Sequence, residues 1–148
     1  MSTSTHPSVR RVTALALASG AALSAAALTP AHAATAARAG ETLHAKLTAS
    51  GDPDGSGSAT FRIVKAKGKV CVTATWKNIQ TPNSAHIHKK SDSLIVVDLT
   101  SAVTGGAHCA TGVSHRLIGR ILAHPRRYYF NVHNATYPAG AIQGTLHR

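Results

Sequence analysis

His86 and His88 stand two residues apart in Ala85-His86-Ile87-His88, and His133 closes the run Tyr129-Phe130-Asn131-Val132-His133. Successive side chains of a β-strand point to opposite faces, so His86 and His88 share a face if their segment is a strand. His133 shares a face with Tyr129 and Asn131, opposite Phe130 and Val132, and joins the pair if the two strands are neighbours. Three imidazoles from two strands form a donor set for copper or zinc. The same rings can instead hydrogen-bond one another and nearby backbone with no metal. The metal reading requires the three rings to converge within a few ångströms and each second ring nitrogen to find a partner.

Other constellations carry less. Asp52-Pro53-Asp54-Gly55-Ser56-Gly57 looks like part of a calcium loop, but the twelfth position, where an EF-hand needs an acid, is Ile63. A turn is the better reading. Ser84, a histidine and Asp98 supply the residue types of a hydrolase triad, yet no nucleophile-elbow sequence accompanies them. Five acidic residues leave little material for a two-carboxylate glycosidase. Asn134-Ala135-Thr136 fits the glycosylation sequon by pattern.

The elements that must position the histidines read as strands. Thr42 to Ala49 alternates, with Leu43, Ala45, Leu47 and Ala49 on one side and Thr42, His44, Lys46 and Thr48 on the other, a half-buried strand. Ser58 to Ala66 and Lys69 to Trp76 form a hairpin around Lys67-Gly68. Val70, Val72, Ala74 and Trp76 share its inner face, so Cys71 points away from the core or sits at a bulge. Thr81-Pro82-Asn83 is a turn ahead of the His86 strand, and the apolar run Leu94 to Leu99 reads as a buried strand. Leu117, Ile118, Ile121 and Leu122 lie at helical spacing, with Ser114 as N-cap and Pro125 as the stop. Arg127 to His133 and Ala141 to His147 are the last two strands. These elements predict an all-β domain, an antiparallel β-sandwich or barrel of Greek-key type. It has about seven to eight strands and one short helix before the penultimate strand. Trp76, Tyr128, Phe130 and Val132 are its expected core.

Ahead of this domain, Arg10-Arg11 precedes an Ala-rich apolar stretch from Val12 to Leu28 that ends in Ala31-His32-Ala33. That is the layout of a secretory signal, expected over residues 1–33, with a flexible segment over 34–40 and the β domain over 41–148. Removing the signal leaves no stable membrane span. An even count of two cysteines in an exported chain then reads as a Cys71–Cys109 disulfide. Without Arg10 and Arg11 the 16 Lys+Arg fall to 14 against 5 Asp+Glu, a net charge of +9. Such a domain is drawn to anionic polymers and surfaces. Nucleic acid is not an expected partner, because the cations are dispersed and few aromatics exist to stack bases.

Four stretches together resemble one family. They are Gly57-Ser58-Ala59-Thr60-Phe61, Ala85-His86-Ile87-His88, His124-Pro125-Arg126-Arg127-Tyr128-Tyr129-Phe130-Asn131-Val132-His133, and Tyr137-Pro138-Ala139-Gly140-Ala141-Ile142-Gln143-Gly144-Thr145-Leu146. Their order and spacing resemble the chordin-type (CHRD) domain over about residues 41–147. Lys89-Lys90-Ser91-Asp92-Ser93 stands where the family usually has glycines, and Gln143 stands where it has arginine. Cys71 and Cys109 sit where secreted bacterial members often carry a pair.

The resemblance implies an all-β extracellular module without an established enzymatic activity. The expected function is a non-enzymatic binding or structural module, secreted or at the cell envelope, with no catalytic residues. Its expected partners are anionic envelope polymers or another extracellular protein. The other class is a metalloprotein, with His86, His88 and His133 as ligands to copper or zinc and redox chemistry open to it if copper is bound. His86-Ile87-His88 also resembles the His-x-His of copper/zinc superoxide dismutase. The bridging histidine, the zinc-binding Asp and the guiding Arg of that enzyme have no counterpart at matching spacing.

Overall fold

Leu43, Ala45 and Leu47 are buried along β1 (Glu41–Ala49) while the residues between them are exposed, and this alternation sets the inner wall of the fold. A computed structural model describes residues 40–148; the expected signal segment and residues 34–39 lie outside the described residues. β2 (Ser56–Val64) pairs with β1 and buries Ala59, Phe61 and Ile63. A 3-10 turn at Lys65–Lys67, ended by Gly68 in the left-handed conformation, leads to β3 (Lys69–Lys77). Val70 and Val72 of β3 are buried, and Trp76 packs half-buried against the core rather than within it.

The remaining strands are β4 (Ser84–Lys89), β5 (Ile95–Asp98), β6 (Cys109–Ala110), β7 (Tyr128–His133) and β8 (Ile142–Thr145). All pairings are antiparallel, in the order β5-β4-β7-β8-β1-β2-β3-β6. The last strand lies beside the first, and β6 returns past β4 and β5 to lie beside β3, the out-of-sequence neighbour that a Greek-key connection produces. The sheet curls into a nearly closed barrel whose free edges are β5 and β6. Phe61 and Phe130 meet across its interior edge-to-face, with ring centroids 5.2 Å apart.

Two short helices flank the barrel. α1 (Thr100–Val103) starts where the Asp98 carboxylate accepts from the Thr100 amide at 2.9 Å. Sequence periodicity gives no sign of this helix, because four residues are too few to show a period. α2 (His115–Ala123) lies where the sequence places it. The Ser114 hydroxyl accepts from the Leu117 amide at 3.3 Å, and Ile118, Ile121 and Leu122 are buried. A 3-10 turn at Pro125–Arg127 then leads into β7.

Two expectations need correction or completion. The Leu94–Leu99 run is not a buried strand throughout: Leu94 is 61% and Ile95 55% exposed, and only Val97 and Leu99 reach the core. β5 is an edge strand, so its first residues have no sheet beyond them to pack against. Cys71 points away from the core without a bulge and pairs directly opposite Cys109 of β6, forming the disulfide.

Candidate functional site

β4 lies between β5 and β7, which brings the three histidines together on the outer face of the barrel. His86 stands opposite Asn131 of β7, His88 opposite Tyr129, and Ser84 opposite His133. Ala85, Ile87, Phe130 and Val132 take the inner face by strict alternation. His133 is thus the diagonal neighbour of His86, and their ring centroids lie 5.1 Å apart. One nitrogen from each of His86, His88 and His133 lies within 4.8 Å of the other two.

Loops cover this face and fix the rings. Asn134 accepts from the Tyr137 amide at 2.8 Å, which starts a turn over residues 134–141. Gly140 has φ +131°, and a Cβ there would collide with the Asn131 side chain, so only glycine lets the loop close over the strand. The Asn131 amide donates to Ala139 O at 3.1 Å, and the His133 Nδ1–H donates to Pro138 O at 2.9 Å. On the other side the register slips at Ile87/His88, and Ser93 adopts φ +55°. Ser93 O then accepts from the His88 Nδ1–H at 2.9 Å.

A carbonyl oxygen only accepts, so Nδ1 of both His88 and His133 carries the proton. Their Nε2 atoms are therefore lone-pair donors. His88 Nε2 is buried and has no hydrogen-bond partner, in a residue only 7% exposed whose ring stacks on Tyr129 at 4.9 Å. His133 Nε2 sits 3.2 Å from His86 Nδ1. His86 Nε2 faces outward, 3.4 Å from the Thr100 hydroxyl and 3.7 Å from an Asp98 carboxylate oxygen. Without metal, His86 Nδ1–H can donate to His133 and its Nε2 can accept from Thr100. With the proton on Nε2 instead, where Asp98 and Thr100 accept it, His86 Nδ1 becomes a third inward lone pair. In that protonation the three rings can offer one lone pair each to a metal ion, with an oxygen acceptor behind each ring.

Burial pushes the His86 pKa below the ordinary 6.5, the neighbouring His133 adds to the shift, and Asp98 opposes it. Burial also lowers that of His133, against the pull of the Pro138 carbonyl. The Thr100 amide and hydroxyl hold the Asp98 carboxyl below its usual range, so Asp98 stays anionic behind His86. Both histidines therefore stay neutral in the folded protein at pH values where they would be protonated in the unfolded chain. The metal-free domain is expected to lose stability as pH falls below about 6.5, and the loss levels off below the depressed folded values. Urea unfolding between pH 7.5 and 4.5 measures this, with His133→Gln expected to flatten the profile. A wild type whose midpoint rises on acidification would contradict the assignment of neutral buried rings.

The other candidates do not assemble. Ser84 donates to Asn83 at 3.5 Å rather than to a histidine. Asp52 and Asp54 belong to the β1–β2 turn. The sequon's Asn134 is fully buried, with its carboxamide oxygen holding the Tyr137 amide. What sequence reading missed are the Ser93 and Pro138 carbonyls and the Thr100 hydroxyl. Pro138 had a local signal, lying five residues past His133 in the turn Tyr137-Pro138-Ala139-Gly140.

Comparison with known proteins adds one finding. A family model described as CHRD domain matches residues 25–146. No curated protein and no solved structure matches the chain.

Proposed function

The chain belongs to the CHRD domain family, and from that premise we propose that it works outside the cytoplasm as a binding module. Its His86–His88–His133 cluster holds one copper or zinc ion. A disulfide fits an oxidising compartment. No helix among the described residues is long and apolar enough to cross a membrane. An export signal over residues 1–33 is part of this reading.

The buried, unpartnered Nε2 of His88 carries the metal assignment. Leaving a buried ring nitrogen without a partner costs about 1–3 kcal/mol. A metal ion at the point where the three lone pairs meet removes that cost. Ser93 O and Pro138 O already hold two rings in the tautomer a ligand needs. Imidazole donors suit both zinc and copper, and copper(II) should displace zinc by the general order of affinities. With three protein ligands, the fourth position is left to a small molecule or to a side chain of a partner protein.

The test is metal content and titration with copper and zinc on the oxidised protein. Wild type is expected to take up one equivalent. His88→Ala and His133→Ala are expected to lose it while keeping the wild-type far-ultraviolet circular dichroism. Uptake that survives both substitutions, or a wild type that takes up neither metal, would sink the proposal.

A further inference from the structure

The antiparallel order puts the turn after β2, the end of β4, the start of β7 and the end of β8 at one end of the barrel. This end collects the cations. Lys65 and Lys67 lie in the β2–β3 turn and Lys69 opens β3, Lys89 ends β4 with Lys90 after it, Arg126 and Arg127 precede β7, and Arg148 lies beyond β8. α2 lies beside that turn and adds the exposed Arg116 and Arg120. Of the described lysines and arginines, only Lys46, Arg62 and Lys77 lie elsewhere along the strands. Asp52, Asp54 and Asp98 stand at the opposite end. Glu41 and Asp92, the acids at the cationic end, each engage one cation, Arg148 and Lys89. Lys90, Arg126 and Arg127 form no ion pair among the described residues.

The same rim carries the only exposed large hydrophobic side chains among the described residues, Leu94 and Ile95. The Lys89 amide donates to Leu94 O at 3.0 Å, and the Lys90 amide donates to Arg127 O at 2.9 Å. Leu94, the Lys89-Lys90 pair and the Arg126-Arg127 pair therefore stand in a row across three adjacent strands. Between the two cation pairs lies a recess of about 410 Å³ lined also by Ser91. A second recess, of about 550 Å³, continues from Arg126 and Arg127 to His147 and Arg148.

We propose that this end of the barrel docks on the surface of an anionic lipid bilayer. Leu94 and Ile95 enter the headgroup region, and Lys90, Arg126 and Arg127 engage lipid phosphates. The charge alone would fit any polyanion. The exposed apolar pair beside it favours a bilayer, because insertion of apolar side chains and attraction to anionic headgroups act together there. A soluble anionic polymer has no apolar interior to receive Leu94 and Ile95. Ile95 stands opposite His88 in the β4–β5 pairing, so the docking surface adjoins the histidine cluster, but none of its cations or apolar side chains is a ring of that cluster and docking does not depend on the metal.

Vesicle co-sedimentation of the oxidised, full-length mature protein tests this at about 0.15 M salt. The probes are vesicles with about 30% phosphatidylglycerol in phosphatidylcholine, phosphatidylcholine alone, and inorganic polyphosphate. Binding is expected to the anionic vesicles and not to the neutral ones. Lys90→Glu/Arg126→Glu/Arg127→Glu is expected to weaken it about a hundredfold or more, and Leu94→Ser/Ile95→Ser about tenfold or more. Metal uptake should be unchanged in the Lys90→Glu/Arg126→Glu/Arg127→Glu variant, whose three residues touch none of the cluster's three histidines. Binding that ignores Leu94→Ser/Ile95→Ser and is matched by polyphosphate would overturn the bilayer in favour of a phosphate polymer. No binding to anionic vesicles would overturn the docking surface altogether.

Discussion

Replacing Cys71 and Cys109 together by serine is expected to lower the stability of the oxidised domain by about 4 kcal/mol in the chain-entropy model. The bond spans 38 residues of sequence, so the unfolded chain loses much freedom when it is closed. It also holds an element with little else to keep it in place. β6 is two residues long and pairs only with β3, through Val70↔Ala110 and Cys71↔Cys109. In a domain of this size the change corresponds to a fall in Tm of about 15 °C or more. Thermal melts of the double variant, and of wild type with and without reductant, measure it. A fall of only a few degrees would mean that α2 packing, not the covalent tie, anchors this edge.

Truncation of Phe130 to alanine is the other large effect, at about 3–5 kcal/mol. Phe130 is fully buried at the centre of β7 and meets Phe61 of β2 edge-to-face. Its removal opens a cavity between the two halves of the sheet. Tyr129 and Asn131 flank it and point to the histidine face, so a loosened β7 also disturbs the site. Phe130→Ala is therefore expected to weaken the proposed metal uptake as well as stability, whereas His88→Ala is expected to weaken that uptake with little effect on the apolar core. Denaturant unfolding of both, read beside metal titration, separates the two behaviours. Equal stabilities for Phe130→Ala and wild type would remove the Phe61–Phe130 contact from its place as the link between the sheet halves.

Where a residue's chemistry and its strand face decided the outcome, the sequence was a good guide. Alternation alone puts His86 and His88 on one face, and Asn131 and His133 follow because Phe130 and Val132 need the core. Ser114 and Pro125 bracket α2 because capping and proline chemistry are local. The misses share a different cause. Ser93 and Pro138 act through backbone carbonyls, which carry no residue-type signature; the sequence marks the turn around Pro138, but only the fold shows that the two carbonyls reach His88 and His133. Leu94 and Ile95 look like core because an apolar run does not reveal whether a neighbouring strand exists on its far side. Asp98 was visible as a chemical group, but its place behind His86 depends on β5 pairing with β4.

The separation of cations and acids along the barrel has a further consequence. It gives the molecule a large electric dipole roughly parallel to its strands, and a dipole feels torque in a field as well as attraction. Near any negatively charged boundary the domain turns before it touches. Its α2 end then faces the boundary, while the Asp52, Asp98 and Pro138 end is held away in open solvent. The outer-face histidines lie on the side wall of such an upright molecule, under their own loops and away from the engaged base. Attachment would then leave the histidine face clear of the boundary by orientation alone.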